Sequence, residues 1–338
     1  MLLARRSREG GEWLPTEIVL ESDFRIPIGL CWVGDTLVAV CIDGQTVVVH
    51  VGAPTGPLRR FGSIRETGGK RWVHSAALVP VDASLVRIVV SSEFGIKETT
   101  IAPAEAPPGG ILVATPIEGL ARGEALRDAV LGPVGSTLVS LIVPGEGPEQ
   151  PVRIVRVDET RRAVEVFRSS GLPPPHRWLT LRTVRDPDPE FPVNVGPVMA
   201  RIGRHVECVW AVDGGSDGVQ ILRTVSWDGG FNWSPATTEV TGISGHLGLP
   251  ALIVLPAERV GLAWIELGAT GQWRAHGKIF AAQGQLPTKV VPSLPFEIED
   301  WPGYYLKFTS QGSAAHSALS ARIGGVQGLW LWECRPSD

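Results

Sequence analysis

The stretch IPIGLCWVGDTLVAVCI, from Ile26 to Ile42, decides the fold, because the chain carries six segments built on its pattern. Each segment has a small residue or a proline, an apolar strand, a turn that often contains Gly or Asp, and a second, very apolar strand. The other five segments are HSAALVPVDASLVRIVVSS from His74, RDAVLGPVGSTLVSLIVP from Arg127, NVGPVMARIGRHVECVWAV from Asn194, LPALIVLPAERVGLAWIE from Leu249 and HSALSARIGGVQGLWLWE from His316. Their spacing of about 45 to 70 residues suits the four-stranded blades of a β-propeller.

The repeat predicts an all-β protein, a six-bladed β-propeller with four-stranded antiparallel blades, in which each segment forms the two inner strands of a blade. Propellers commonly close their ring by sharing a strand between the chain ends, so EWLPTEIVL, residues 12–20, is predicted to complete the last blade. Residues 1–11 are then an N-terminal tail, and residues 12–338 form one propeller domain. The proline-rich interval at about 168–192 is predicted to be a long loop over one face.

Composition excludes several classes of protein. The chain has 338 residues, of which 43% are hydrophobic, and its 40 Gly and 28 Pro follow no collagen-like period, which favours many short strands joined by turns. The net charge of −4 and the scattered Lys and Arg argue against nucleic acid, because phosphate binding needs a concentrated basic face. No secretion signal and no apolar run near the ~20 residues of a membrane helix is present. We therefore expect a cytoplasmic protein with no membrane partner, or a secreted one if a leader has been removed.

The four cysteines lie in apolar runs and have no metal-ligand spacing, which favours free, buried thiols. They are Cys31, Cys41, Cys208 and Cys334. A disulfide between Cys31 and Cys41 across one hairpin is the alternative.

The stretch SWDGGFNWS, Ser226 to Ser234, is the most specific string in the chain and predicts a hairpin corner. Asp228 is suited to accept hydrogen bonds from the backbone N–H groups that follow it. Gly229 and Gly230 permit positive φ, and Trp233 supplies a large apolar plug. None of these roles is catalytic.

This stretch resembles the Asp-box of sialidases and related propellers, Ser-x-Asp-x-Gly-x-x-Trp. The matching residues are Ser226, Asp228, Gly230 and Trp233. Upstream, Phe24-Arg25-Ile26-Pro27 is similar to the Phe/Tyr-Arg-Ile-Pro motif of the same family. The resemblance implies that Asp228 is structural and that Arg25 is the first of three arginines that hold the substrate carboxylate. A structural role for Arg25, pairing with a carboxylate at a strand end, is the alternative.

Sialidase chemistry also needs a tyrosine nucleophile, a glutamate and an aspartate, and the resemblance does not extend to them. The family's tyrosine aligns with His316 in Ala-His-Ser-Ala-Leu, and its glutamate aligns with Val254. The segment Val47 to Ser63, where the aspartate is expected, contains no acid. The second arginine is absent before the Asp-box, although Arg223 lies near that position.

Other side chains are candidates for a ligand site where the inner strands begin. His74, His246 and His316 are expected on the same face as Arg25. Converging imidazoles are also a metal-site pattern, with Asp128 as the best acid, but histidines bonded to strand-end backbone explain them as well, and we predict no metal. Tyr304 and Tyr305 are the only tyrosines and form either an aromatic binding surface or, in an enzyme, a relocated nucleophile.

These observations favour a non-catalytic binding module for a glycan or protein partner, with no cofactor. The alternative is a divergent exo-glycosidase acting on an acidic sugar, with Arg25 gripping the carboxylate. No nucleotide-binding loop and no Ser-His-Asp order is present to suggest another chemistry.

Overall fold

A computed structural model describes most of the chain. It covers residues 2–6, 13–18, 25–43, 46–53, 58–65, 73–92, 94–105, 110–121, 123–143, 151–169, 197–213, 219–243, 247–255, 259–267, 273–280, 289–291, 306–311, 314–323 and 326–334. These residues form 26 β-strands, one short 3₁₀ turn at Pro133–Gly135 and no α-helix, which confirms the all-β prediction. No helix in this part of the chain is long and apolar enough to cross a membrane.

The chain divides into two compact units, residues 1–141 with 155–164, and residues 142–154 with 165–338. The first unit begins with an antiparallel hairpin of β1 (Leu2–Arg6) and β2 (Trp13–Ile18). Sheet I contains β3 (Arg25–Val33), β4 (Thr36–Asp43), β5 (Thr46–Gly52), β6 (Arg59–Arg65) and, parallel to β6, β10 (Gly110–Ile111). Sheet II contains β7 (Val73–Pro80), β8 (Val86–Ser92), β9 (Gly95–Ile101) and β11 (Thr115–Pro116).

Four more sheets follow in chain order. Sheet III contains β12 (Ala125–Leu131), β13 (Thr137–Ile142), β14 (Val152–Val157) and β15 (Ala163–Arg168). Sheet IV contains β16 (Val198–Ile202), β17 (His205–Asp213), β18 (Val219–Ser226) and β19 (Thr237–Ile243). Sheet V contains β20 (Leu247–Leu255), β21 (Arg259–Leu267), β22 (Trp273–Phe280) and β23 (Lys289–Val291). Sheet VI contains β24 (Leu306–Gln311), β25 (Ala314–Ile323) and β26 (Val326–Cys334).

The repeated segments correspond to strand pairs. Five of the six form the first two strands of sheets I to V. The second strand of each pair is mostly apolar because nearly all of its described side chains are buried, as in β13, which is buried at every position. The sixth segment differs from the prediction, because it forms β25 and β26, the second and third strands of sheet VI. The first strand there is β24, whose sequence LKFTSQ alternates apolar and polar residues and so lacks the pattern used to find the others.

The N-terminal strand does not have the predicted partner. Strand β2, within the stretch predicted to complete the last blade, pairs with β1 and not with a described strand of sheet VI. The stretch 1–11, expected to be a tail, thus contains β1. Few residues separate β1 from β2, so their hairpin closes at a lower entropy cost than pairing with the distant chain end. The predicted loop at about 168–192 lies outside the described residues from residue 170 onwards.

Each unit has its own apolar cores. In the first unit, one core packs sheet I against sheet II around residues such as Val38, Val49 and Ile88, and a second packs sheet II against β12 to β14. In the second unit, a core between sheets IV and V includes Ile221 and Phe280. Within the first unit β7 contacts both β3 and β12, and within the second β20 contacts both β16 and β24, so the first strands of successive sheets are neighbours.

The described cysteine thiols and two of the tryptophan indoles lie in apolar surroundings. Cys31, Cys41 and Cys208 do not form disulfides, so the alternative bridge between the first two is absent. Trp210 and Trp264 are buried in the interior.

Candidate functional site

The turn between β18 and β19 is built around the carboxylate of Asp228. Its Oδ1 accepts hydrogen bonds from the Ser226 hydroxyl (2.8 Å) and from the N–H groups of Phe231 (3.0 Å) and Asn232 (2.9 Å). The Ser226 Oγ in turn accepts the N–H of Gly230 at 2.7 Å. Partial burial opposes ionisation, but the hydrogen bonds outweigh it and lower the pKa of Asp228 to about 2. The carboxylate therefore holds the turn as an anion.

The rest of this turn is fixed by glycines and aromatic packing. Gly229 and Gly230 have φ of 88° and 103°, a region that side chains with a Cβ rarely adopt. The N–H of Gly229 donates to the carbonyl of Arg204 at 2.7 Å, which ties the turn to the preceding hairpin. Trp233 Nε1 donates to the Gly230 carbonyl at 3.2 Å, and its ring lies 6.1 Å from that of Phe167. These contacts fix the conformation of the turn.

A network of charged side chains lies beneath this turn in the second unit. Arg223 on β18 forms a bidentate ion pair with Glu207 on β17. Its Nη2 donates to Oε1 at 2.6 Å and its Nε donates to Oε2 at 2.5 Å. It also donates to Glu239 on β19 at 3.2 Å, and Lys278 on β22 donates to the same carboxylate at 2.8 Å. The Glu207 side chain is wholly buried, so its charge is compensated by Arg223 instead of water.

His205 connects this network to the turn. Its Nε2 lies 2.8 Å from Glu207 Oε1, but the angle between the two groups does not suit a hydrogen bond. Its ring stacks on the indole of Trp227 with the centroids 4.1 Å apart. Trp227, at the second position of the turn, therefore packs on the ring of His205, which lies beside the buried carboxylate of Glu207.

Arg223 is the residue nearest the position of the family's second arginine, and its guanidinium already contacts two carboxylates. Burial opposes its charge, but Glu207 and Glu239 outweigh that effect and raise its pKa. A guanidinium engaged in this way has little capacity left for a ligand carboxylate. Its contacts are those of a structural ion pair.

In the first unit, the starts of β3, β7 and β12 lie at the same end. At the opposite end, Gly34 after β3 is so close to Ala83 after β7 that a Cβ on Gly34 would lie 2.6 Å from the Ala83 carbonyl oxygen. Arg87, at the beginning of β8, donates to the carbonyl of Gly135 after β12 at 3.2 Å. Where the strands begin, the Ser75 hydroxyl of β7 donates to the Leu126 carbonyl of β12 at 2.8 Å.

Two of the predicted site residues belong to these strand starts. Arg25 is the first residue of β3, and its Cα is paired with that of Asp43 on β4. His74 lies at a bulge of β7, between Val73 and Ser75. The strand register thus brings the backbone positions of Arg25 and His74 to one end of the first unit, next to the beginning of β12.

The remaining predicted residues are not brought together by the described part of the chain. His316 is near the start of β25, the second strand of sheet VI, with Thr309 and Glu333 as its Cα partners. It does not begin a first strand, as the repeat predicted, because β24 precedes it. His246, Tyr304 and Tyr305 lie outside the described residues. Among the residues that the structure describes, no group of three His, Cys, Asp or Glu side chains is placed to hold a metal ion.

No family model and no curated protein matches this chain. A solved protein of unknown function from Dyadobacter fermentans is similar over 92% of this chain and 93% of its own, with 11% identity and a TM-score of 0.55. A Trypanosoma rangeli sialidase is similar over 92% of this chain and 54% of its own, with 13% identity and a TM-score of 0.54. A luciferin-regenerating enzyme covers 87% of this chain and 83% of its own, with 13% identity and a TM-score of 0.50.

These similarities show a shared fold and nothing further, because the identities are low. The chain spans about half the length of the sialidase chain that it matches. Solved structures with the same fold thus include sialidases, in agreement with the coarser part of the sequence resemblance.

The position aligned with the sialidase glutamate, and part of the stretch where the aspartate is expected, hold apolar residues in regular strands. Val254, aligned with the family's glutamate, lies in β20 as a half-buried residue. In the acid-free stretch from Val47 to Ser63, Val47 and Val49 of β5 are wholly buried in the core of the first unit. These side chains serve packing and have no proton to transfer.

The ion-pair network around Glu207 and the cation Arg127 were not predicted from the sequence. Glu207 interrupts the apolar run of β17, and a charge within such a run was the available signal for a buried ion pair. Arg127 opens the third repeated segment, at the position that His74 occupies in the second.

Proposed function

We propose that this chain is a six-bladed, sialidase-like β-propeller that binds a glycan or a protein partner and does not hydrolyse glycosidic bonds. Six sheets in chain order, with first strands that contact one another within each unit, support the blade assignment. The net charge of −4 favours glycans and proteins over nucleic acids as partners.

The observation that carries this proposal is the loss of the nucleophile and its base. Retaining sialidase chemistry needs a tyrosine and a glutamate in contact, and the aligned residues are His316 and Val254. A valine cannot draw off a proton, and the stretch from Val47 to Ser63, where the family's aspartate is expected, contains no acid. The fold is thus expected to be retained as a scaffold for binding.

The alternative is a divergent exo-glycosidase acting on an acidic sugar. Its support is the position of Arg25 at the shared end of β3, β7 and β12. In such an enzyme Arg25 holds the carboxylate, and Tyr304 or Tyr305 with a nearby acid supplies the chemistry. The Cα pairing of Arg25 with Asp43 supports the opposing view, in which Arg25 is part of a strand-end ion pair.

One experiment separates these functions. The purified protein is titrated by calorimetry with sialic acid derivatives and other acidic sugars, and the same compounds as fluorogenic glycosides are assayed for turnover. We expect binding without turnover, weakened by Arg25→Ala and unchanged by Arg59→Ala, which removes an exposed arginine of β6. Turnover that Arg25→Ala abolishes would overturn the non-catalytic proposal. No binding by the wild type would reject these glycans and leave a protein partner as the proposed ligand.

A further inference from the structure

The segment from Gly110 to Val113, here called the β10 edge, lies at the outer side of sheet I in the first unit. Strand β10 pairs with β6, with Gly110 beside Gly62 and Ile111 beside Ser63, and it is the last strand in the order β10-β6-β5-β4-β3. No described strand lies on its other side. The edge of a sheet presents backbone N–H and C=O groups with which another chain can pair.

The backbone groups of the β10 edge that face away from β6 follow from one hydrogen bond. The N–H of Leu112 donates to the carbonyl of Ser63 at 2.8 Å, towards β6. The backbone groups of successive residues in a strand point to opposite sides, so the N–H groups of Ile111 and Val113 point away from β6. These two residues are thus placed to pair with an added strand.

The side chains of the β10 edge alternate between the core and solvent. Leu112 packs against the core between sheets I and II. On either side of it, Ile111 is 76% exposed and Val113 is 79% exposed. Natural edge strands usually carry charged residues or Pro, which prevent pairing with other chains. Two exposed apolar side chains at alternate positions therefore favour a surface that another chain covers.

The β10 edge is held closely on the strand beside it. A Cβ on Gly62 would lie 2.9 Å from the Gly110 carbonyl oxygen and 3.0 Å from Leu112 Cγ, so the glycine permits this approach. Ala114, just after the edge, also packs on the core of sheets I and II. An edge that is already in place loses little conformational entropy when a partner binds.

The charge beside the β10 edge is positive. Arg59, Arg60 and Arg65 of β6 are exposed, and none of them forms an ion pair within the described part of the chain. Among the described residues 58–65, 94–105 and 110–116, Glu105 is the one exposed acid. Pairing with a second copy of this edge would bring like charges together, whereas an acidic partner would neutralise them.

We propose that the β10 edge is a docking site for an extended, acidic segment of a protein partner that has apolar residues at alternate positions. The segment adds a strand to sheet I by pairing with Ile111 and Val113, and its apolar side chains pack on theirs. Its carboxylates interact with the arginines of β6. This inference rests on the proposed function, in which a protein is one of the two classes of partner, and it names a surface other than the strand starts at Arg25 and His74.

The test is fluorescence anisotropy with the full chain and a fluorescein-labelled ten-residue peptide in which valine alternates with glutamate. Two comparison peptides alternate valine with lysine and serine with glutamate. The wild type is expected to bind the valine–glutamate peptide more tightly than either of them. These comparisons use the wild type alone, so they do not depend on the folding of a variant.

The double variant Ile111→Thr/Val113→Thr tests the location of the site. It keeps β-branched side chains but removes apolar surface, so it is expected to weaken binding of the valine–glutamate peptide by roughly 10-fold. The matched control is Val164→Thr, which alters a 44% exposed valine of β15, the edge strand of sheet III, and is expected to bind like the wild type. Equal binding by the double variant and the wild type would overturn the assignment of the site.

The charge and the backbone pairing each have their own readout. Arg65→Gln is expected to weaken binding by about 2- to 5-fold and to reduce its salt dependence, with the exposed Arg204→Gln as the control. Two further peptides are methylated on the backbone nitrogens of either the valines or the glutamates. Only one of these sets of N–H groups can face the β10 edge, so one methylated peptide is expected to lose binding and the other to keep it.

The remaining outcomes separate this inference from the proposed function. Tighter binding of the valine–lysine peptide would overturn the acidic partner, and equal binding of both methylated peptides would overturn strand addition. A wild-type dimer in sedimentation that Ile111→Lys abolishes would show that a second copy occupies the edge, and would also overturn the proposal. No binding of any peptide at millimolar concentration would reject the docking site, while the sugar titration under the proposed function still reports independently on glycan binding.

Discussion

Arg223 and Glu207 form a two-point ion pair between neighbouring strands, with Arg223 Nη2 2.6 Å from Glu207 Oε1. The guanidinium also lies 4.0 Å from the centroid of the Phe280 ring, so apolar packing encloses the pair on one side. The strand register sets this contact, because Glu207 is opposite Val225 and Arg223 is opposite Val209. The two long side chains meet diagonally across the ladder.

Removal of Arg223 is expected to destabilise the protein strongly. Arg223→Met leaves the carboxylate of Glu207 buried without its cation, which predicts a loss of about 3–5 kcal/mol in the free energy of unfolding. The double variant Glu207→Leu/Arg223→Met is expected to recover part of that loss, since it removes both charges. Urea unfolding of the three proteins measures these differences.

The matched control is the ion pair between Arg153 and Glu165, whose Nε and Oε2 are 2.7 Å apart. Glu165 is 38% exposed, so Arg153→Met is expected to cost only about 0–1 kcal/mol. Equal effects of Arg223→Met and Arg153→Met would contradict the importance given to burial of the Glu207 pair.

The turn at Asp228 predicts a dependence of stability on acid. The folded-state pKa of Asp228 is about 2, below the ordinary value of 3.8, so its contribution is fully present above about pH 4 and is lost as the pH falls towards 2. Asp228→Asn removes this titration and several charge-assisted hydrogen bonds. We therefore expect Asp228→Asn to be less stable than the wild type at pH 7, and the difference between the two to shrink between pH 4 and pH 2. Thermal melts across that range provide the measurement, with Glu105→Gln, an exposed carboxylate, as the control. A difference that is constant with pH would show that the ionised carboxylate of Asp228 does not stabilise the turn.

The fold was predictable where burial imposes a simple pattern. Strands such as β13, buried at every position, have mostly apolar sequences, so the repeated segments identified the first two strands of five sheets. Strand β24 was missed because its alternating sequence is that of a strand with two unlike faces. The partner of β2 was predicted wrongly because strand pairing depends on loop closure and register, which composition does not encode.

The candidate site was predictable only in part. The residue types of the turn, with Asp228 as acceptor and two glycines, indicated its hydrogen bonds, because those depend on local chain geometry. The pairing of Glu207 with Arg223 was not visible, since it joins residues from different strands and depends on their register.

Gly230 is expected to resist substitution because of its backbone conformation. Its φ of 103° is strained for any residue with a Cβ, so Gly230→Ala is predicted to cost about 1–3 kcal/mol. Gly110→Ala is the matched control, since a Cβ there meets open space and the residue has no positive φ. Chemical unfolding of both variants gives the comparison, and equal stability of the two would contradict a strained turn.

The buried thiols predict a protein that does not react with thiol reagents until it unfolds. Burial raises the pKa of Cys31 to about 12, and Cys41 and Cys208 are enclosed in the interior. Because the thiolate is the reactive form, these three sites are expected to be inert at pH 8. The Cys334→Ser variant isolates them: almost no thiol is expected to titrate with a disulfide reagent in the native state, and three in denaturant. Asp35→Cys, at an exposed turn position, adds a positive control that reacts at once. Only one thiol in denaturant would indicate that Cys31 and Cys41 are joined after all, whereas rapid reaction of the native Cys334→Ser variant would show that the apolar interior opens easily.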